Sequence, residues 1–213
     1  MKIVLASRSP RRWQLLRAAG IDFIPAPLEC EEVTFPGRPE ETVRLNAEKK
    51  AGRCARRFPA AAVIGCDTVV FLDRILGKPK DAAAARRMLE LLSGKTHRVY
   101  SAVSLILPPE DRPRTETAVT EVTFKPLDAG TVTEYLNRVH LLDKAGGYAI
   151  QEEGEMIVEG IRGSLSNVIG LPLETLSELL TGVTKFQAAD ADLRRVAVRL
   201  DRKYCWLSNK SKR

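Results

Sequence analysis

Asp67 interrupts an apolar run that otherwise reads Ala-Ala-Ala-Val-Ile-Gly-Cys-Asp-Thr-Val-Val-Phe-Leu over residues 60–72. A carboxylate in such a strand pattern is costly unless it is paired or used. Two readings stand at this point. Asp67 is either a structural carboxylate satisfied by backbone and by Thr68, or a metal ligand and general base, since perturbed carboxylates gather both at active sites and in structural networks. Its candidate neighbours are Glu31-Glu32 in an upstream loop, Lys49 on the helix after that loop, and Gly77-Lys78-Pro79 beyond the strand. Carboxylates suit a hard divalent ion that keeps waters, while lysines and arginines neutralise phosphate charge that the metal leaves uncovered. Taken singly, each of these charges also reads as an ordinary surface residue.

The segment Ser7-Arg8-Ser9-Pro10-Arg11-Arg12 is placed where a strand delivers the chain into a helix N-terminus. Unpaired backbone N–H groups and the positive end of the helix dipole point outward there, which suits an anion. Arginines in the first helical turn oppose the dipole, a local cost that is relieved when phosphate occupies the site. His97 and His140 have no serine or cysteine arranged with them as a triad, and Cys66 has no basic neighbour in sequence to activate it. There is no G-x-x-x-x-G-K-[ST] and no G-x-G-x-x-G, so P-loop and dinucleotide-binding readings lack support.

These residues must be held by a framework of alternating strands and helices. Ile3 to Leu5 reads as a short buried strand, and Ser9-Pro10 opens a helix that runs through Trp13, Leu15, Leu16 and Ala19 to Gly20. After Pro39, the residues Val43, Ala47, Ala51, Cys54, Ala55 and Phe58 recur at helical spacing. That stripe faces the core and leaves Lys49, one turn beyond Leu45, free to reach a neighbouring cleft. Asp81 to Leu92 reads as a helix with Ala84, Met88, Leu91 and Leu92 on one side. Strands at Val99 to Leu107 and Thr117 to Phe124 flank a hairpin loop marked by Pro108, Pro109 and Pro113. A shorter helix follows Leu127-Asp128, and Gly146-Gly147 opens a turn into Tyr148–Gln151. A strand at Met156 to Val158 and a helix over Leu171 to Leu180 follow, with an appended helix at Leu193, Val196, Ala197 and Leu200. The pattern predicts an α/β fold with a mixed β-sheet flanked by helices.

With 213 residues and 44% hydrophobic content, the chain suffices for one large domain or two closely packed lobes. Cys30, Cys54, Cys66 and Cys205 form no C-x-x-C pair and suggest neither zinc nor a disulfide framework. The N-terminal apolar stretch is too short for a signal peptide or a membrane span, so a cytoplasmic protein with no membrane association is expected. The formal net charge of +7 favours an acidic partner: nucleic acid, a membrane surface or a polyanionic small molecule. Lys203, Lys210, Lys212 and Arg213 make the end of the chain basic, but with only Tyr204 and Trp206 interleaved it reads as a solvated tail rather than a nucleic-acid arm.

The ordered set Leu5-Ala6-Ser7-x-Ser9-Pro10-Arg11-Arg12, Glu48-Lys49, Gly65-Cys66-Asp67-Thr68-Val69-Val70, Gly77-Lys78-Pro79-Lys80-Asp81, Ser93-Gly94-x-x-His97, Asp143 through Gln151 and Val168-Ile169-Gly170-Leu171-Pro172 resembles the Maf family of nucleotide pyrophosphatases. The likeness covers nearly all of residues 3–180, which divides the chain into a Maf-like region at 1–180 and a partly helical extension with a basic tail at 181–213. The resemblance implies two lobes around a deep cleft (a Maf/ITPase-like architecture), a homodimer, and hydrolysis of a nucleoside triphosphate to the monophosphate and pyrophosphate with Mg²⁺ or Mn²⁺. By matched position it implies Asp67 as proton acceptor, Ser7, Arg11, Lys49 and Lys78 as holders of the triphosphate, and Glu32 as an aid to Asp67 in metal binding. Three positions that look like base-selectivity determinants read Arg12, Thr68 and Gln151, a set similar to the branch acting on dTTP and UTP, with modified pyrimidine nucleotides as further substrates. The alternatives are the same reaction on 7-methyl-GTP or CTP, or a regulatory, cell-division-linked protein that binds nucleotide or nucleic acid. The turn Leu72-Asp73-Arg74-Ile75 is one residue shorter than the family pattern and lacks its glycine.

Overall fold

Every residue of β1 (Ile3–Leu5) is buried, as expected for a parallel strand covered on both faces. The computed structural model describes residues 1–181, 187–204 and 207 of the chain. The remaining strands are β2 (Ile24–Pro25), β3 (Ala62–Phe71), β4 (Ile75–Leu76), β5 (Thr96–Ile106), β6 (Arg114–Phe124) and β7 (Val158–Arg162). Among the described residues they form one seven-stranded sheet in the order β2-β1-β3-β5-β6-β7, with β4 on β3. β1 runs parallel to β2 and β3 and the other pairings are antiparallel, which gives the mixed sheet that the sequence pattern predicts.

The helices are α1 (Pro10–Ala18), α2 (Pro39–Arg57), α3 (Ala82–Leu92), α4 (Ala129–Arg138), α5 (Gly154–Ile157), α6 (Leu165–Ile169), α7 (Leu173–Leu180) and α8 (Gln187–Lys203). Side chains alternate across a strand, and β3 shows what each face meets. Ala62, Ile64, Cys66 and Val70 join the main core with buried residues of α1, α3, α4, α6, α7 and α8. Val63 and Val69 lie on the opposite face, in clusters with Ala51 and Cys54 or with Val43 and Ala47 of α2. By the same parity Asp67 faces the α2 side and Thr68 the other.

Asp81 and Asp128 cap α3 and α4 by accepting hydrogen bonds from the Ala84 and Thr131 amides at 2.6 and 2.7 Å. On α3 the buried residues are Ala85, Leu89 and Leu92, not the row Ala84, Met88 and Leu91; the run of alanines that opens this helix carries no phase information. Met156 lies in the short helix α5 rather than in a strand, and the last strand starts only at Val158. The left-handed Glu153 (φ 55°) turns the chain into that helix. α8 packs on α7, α6 and α1 and places Leu193, Val196 and Ala197 in the main core. Trp206, Lys210, Lys212 and Arg213 lie outside the described residues. Among the described residues no helix is long and apolar enough to cross a membrane.

β3 pairs with β5 along nearly its whole length, but on its other edge it is covered only at Ala62–Ile64 by β1 and at Val70–Phe71 by β4. Between those stretches the edge of β3 is open, and Asp67 and Thr68 sit in the gap.

Candidate active site

The gap in the sheet opens onto a cleft of about 460 Å³. One wall is formed by α2 and the loop that carries Glu32; the other by the β1–α1 turn, residues 143–151 and the turn at 168–170. Ser7, Arg11, Arg12, Glu32, Asp67, Thr68, Lys78 and Gln151 all line it, so most of the residues singled out in the sequence converge.

Lys49 does not line the cleft; Lys50 does. The apolar stripe fixes which side of α2 is buried, and the cleft lies along its border, where Thr42, Asn46 and Lys50 form a row at i, i+4 and i+8. Lys50 Nζ lies 2.6 Å from Asp67 Oδ1 and 2.6 Å from Glu32 Oε1, with the Lys50 side chain only 14% exposed. Asn46, a residue with no sequence signal of its own, donates from Nδ2 to Asp67 Oδ2 at 3.2 Å. Burial works against an ionised Glu32, but Lys50, assisted by Lys78 and Arg12, holds its carboxyl below the usual range.

Gly65 sets this geometry. A Cβ there would lie 2.3 Å from the Ala47 carbonyl oxygen and 2.7 Å from the Ala51 nitrogen, so only glycine lets α2 approach β3 so closely. That contact brings Asn46 and Lys50 within reach of Asp67, two residues further along the strand.

Across the gap, Arg12 is braced by the protein itself. Its Nε donates to Gly170 O at 2.7 Å, one Nη to Ser7 Oγ at 3.1 Å and Cys66 O at 2.8 Å, and the other to Thr68 Oγ1 at 3.1 Å. All but one of its N–H groups are thereby committed. Thr68 Oγ1 also bonds Ser101 Oγ at 2.8 Å and donates to Gly170 O at 3.3 Å. The Gly170 carbonyl is a hub that sequence reasoning missed; its one signal is the glycine before Leu171-Pro172, which adopts φ 119°. Gln151, by contrast, makes no hydrogen bond to a described residue and faces the cleft.

Ser9 occupies the N-cap position of α1 without a side-chain capping bond, and no acidic residue lies in the first turn. The Ser7 hydroxyl instead accepts from the Ser9 amide at 3.2 Å and from Arg12, which leaves its own proton to donate. The helix N-terminus and its amides are thus available to an anion in the cleft. Arg11 is held at the rim by Asp143, 2.8 Å from Nη1 to Oδ2. Partial burial works upward on Asp143, but Lys144 and Arg11 hold its carboxyl down at about 2. Lys78 follows Gly77, whose carbonyl accepts from the Gly146 amide at 3.0 Å, so the loop bearing Lys78 is tied to the opposite wall.

Cys66 is fully buried and burial pushes its thiol up, which removes it as a nucleophile. His97 is buried between Phe124 and Tyr148 and its Nε2 pairs with the Tyr148 hydroxyl at 2.9 Å. His140 does not line the cleft.

A family model described as Maf-like protein matches residues 2–183. The chain is 43% identical over 183 residues, 85% of this chain and 96% of the relative, to a protein of Akkermansia muciniphila named dTTP/UTP pyrophosphatase. It is 44% identical over 180 residues, 84% of this chain and 90% of the relative, to one of the same name from Myxococcus xanthus. Another of that name, from Syntrophus aciditrophicus, is 43% identical over 182 residues, covering 84% of this chain and 88% of the relative. The matched span holds every residue that walls the cleft, and the chain belongs to the family of Maf-like proteins.

Proposed function

We propose that this protein hydrolyses dTTP and UTP to the nucleoside monophosphate and pyrophosphate, with Asp67 as the group that accepts the proton of the attacking water. The observation that carries the reading is the arrangement of Asp67 and Glu32 around Lys50 Nζ, each at 2.6 Å, in a cleft that also holds an uncapped helix N-terminus and Lys78. The names of the relatives supply the nucleotides.

The donor set fits Mg²⁺ or Mn²⁺. Two carboxylates reach one ammonium, so both can reach one cation, and their hard oxygens suit a metal that completes its shell with water and phosphate. Among the described residues no group of three or more His, Cys, Asp or Glu is placed to hold a metal ion, so in this reading the substrate and water complete the shell. When bound, the ion supplies positive charge against the reacting phosphoryl oxygens and helps make water nucleophilic at neutral pH.

In the reaction, water attacks the α-phosphorus in line, the bond from that phosphorus to the β-bridging oxygen breaks, and the β- and γ-phosphates leave as pyrophosphate. Asp67 takes the water's proton at Oδ1 as Lys50 turns from that oxygen toward the phosphates. The α1 N-terminus, the Ser7 hydroxyl, Arg11 and Lys78 hold the triphosphate chain and offset the charge that develops on the leaving group. Gln151 presents an amide, at once donor and acceptor, that complements the N3–H and adjacent carbonyl of a pyrimidine edge. Arg12 and Thr68, their hydrogen bonds largely committed to protein, shape the base pocket from behind. The working form in this reading is a cytoplasmic homodimer, tested by light scattering and cell fractionation.

A panel of triphosphates with product analysis tests the reading. Monophosphate and pyrophosphate from dTTP and UTP are expected, with Asp67→Asn folded and inactive. Diphosphate and phosphate from any substrate, a preference for 7-methyl-GTP or CTP, or near-normal turnover by folded Asp67→Asn would each overturn part of it.

A further inference from the structure

Asn46 is buried at 3% exposure on α2, one turn before Lys50. Its Oδ1 accepts from the Val33 amide at 2.9 Å, while Nδ2 donates to the Val33 carbonyl at 2.9 Å and to Asp67 Oδ2 at 3.2 Å. The Val33 N–H can only donate, so the side-chain amide has one orientation, with its nitrogen toward Asp67. One side chain therefore joins the main chain next to Glu32 to the carboxylate in the sheet gap. The oxygens of Asp67 are held differently: Oδ1 by the long, adaptable side chain of Lys50, and Oδ2 by an amide that cannot leave without releasing the Glu32 loop.

We infer that Asn46 is a positioning residue that locks the Glu32 loop to Oδ2 of Asp67, so that the two carboxylates face one cation while Lys50 is free to turn to phosphate. The inference rests on the reading of Asp67 and Glu32 as the centre of the reaction. Outer groups that orient metal-binding carboxylates carry large effects, typically about 10–100-fold in metal affinity or activity. Thr42 ties the same loop elsewhere, accepting from the Phe35 amide at 3.0 Å, so the loop has a hold that does not involve Asp67.

The test compares the full chain with Asn46→Leu, which removes all three bonds, and with Asn46→Asp, which keeps the volume and the acceptor for the Val33 amide in case the first variant does not fold. Three readouts are taken: amide hydrogen exchange over residues 29–36, Mn²⁺ affinity measured calorimetrically with α,β-imido-UTP present, and kcat and KM for UTP. The expected result for Asn46→Leu is exchange about tenfold faster over the loop, Mn²⁺ bound about 10–100-fold more weakly, and a kcat loss of similar size with KM nearly unchanged. Asn46→Asp keeps the Val33 amide protected and still loses kcat. Unchanged exchange, unchanged Mn²⁺ affinity, a loss confined to KM, or no Mn²⁺ binding by the wild-type chain overturns the inference. Wild-type protein that releases no pyrophosphate from either nucleotide overturns the proposed function instead, and the exchange and Mn²⁺ measurements then still decide the role of Asn46.

Discussion

Lys49 and Lys50 are neighbours in sequence but lie about 100° apart around α2, and only one of them meets the cleft. Replacing each in turn by methionine keeps an unbranched side chain of good helix propensity and removes only the ammonium. Lys50→Met takes away the charge that lies 2.6 Å from both Asp67 and Glu32, leaving two facing carboxylates without their shared partner and, in the proposed reading, the triphosphate without one of its cations. Loss of one group aimed at developing charge costs about 2.7–4 kcal/mol, so kcat/KM for UTP should fall by about 10²–10³-fold. Lys49→Met alters a charge outside the cleft, and changes of that kind stay within about 0.5 kcal/mol, or roughly twofold. A continuous pyrophosphate-release assay at subsaturating UTP with excess metal reads both variants, with thermal unfolding as the control for folding. A more damaging Lys49→Met, or a folded Lys50→Met within about threefold of wild type, refutes the placement of Lys50 rather than Lys49 at the site.

Two further outcomes follow from groups around the site. Burial holds His97 down at about 4, against an ordinary value of 6.5. Between those values the unfolded chain binds a proton that the folded chain refuses, so this share of stability is complete above the ordinary value and is lost as the pH falls toward the lower one. The full difference amounts to about 3 kcal/mol, most of it visible in urea unfolding at about pH 7 and about pH 4.5. The double variant His97→Phe/Tyr148→Phe, which also removes the hydroxyl left unpaired, should flatten this component; an equally steep profile would show that other groups carry it. Gly65→Ala places a methyl 2.3 Å from the Ala47 carbonyl oxygen, so α2 must move off β3 at a cost of about 1–3 kcal/mol in unfolding experiments. Activity should fall further than stability, because Asn46 and Lys50 move with the helix; wild-type turnover would show that this close approach does not set their reach to Asp67.

The parts of the fold that were legible in the sequence are those with strong local grammar. Ile3–Leu5 followed by Ser9-Pro10 reads as a strand entering a helix, as observed, and the stripe at Val43, Ala47, Ala51 and Cys54 marked the buried side of α2 correctly. What the stripe could not give was the position of the cleft around the helix. Periodicity reports where apolar side chains go, whereas the cleft lies at the border of that face, and a shift of one residue there exchanges Lys49 for Lys50. Asn46 was invisible for a related reason: a polar residue in a helix looks solvent-exposed until the loop it binds is in place. The hub at the Gly170 carbonyl is a backbone group, which no side-chain pattern can reveal.

The adjacency of Asp67 and Thr68 poses a geometric problem, because consecutive residues of a strand project to opposite faces and would ordinarily serve different sites. The open edge of β3 resolves it. β1 covers that edge only as far as Ile64 and β4 resumes cover only at Val70, so a bound molecule can lie across the strand edge and meet both faces. On the α2 face, Asp67 is held with Lys50, Asn46 and Glu32 and can serve water, metal and phosphate. On the other, Thr68 is tied to Arg12, Ser101 and Gly170 and can only shape what it touches. Arg12 also donates to the Cys66 carbonyl, part of the backbone of the open edge, so the residue that ties Thr68 also stabilises the gap. In the proposed reading, chemistry and recognition thus lie side by side, Asp67 held by Lys50 and Asn46 and Thr68 by Arg12, Ser101 and Gly170, so that substitutions at positions 68 and 151 retune the base pocket with the hydrogen bonds of Asp67 in place.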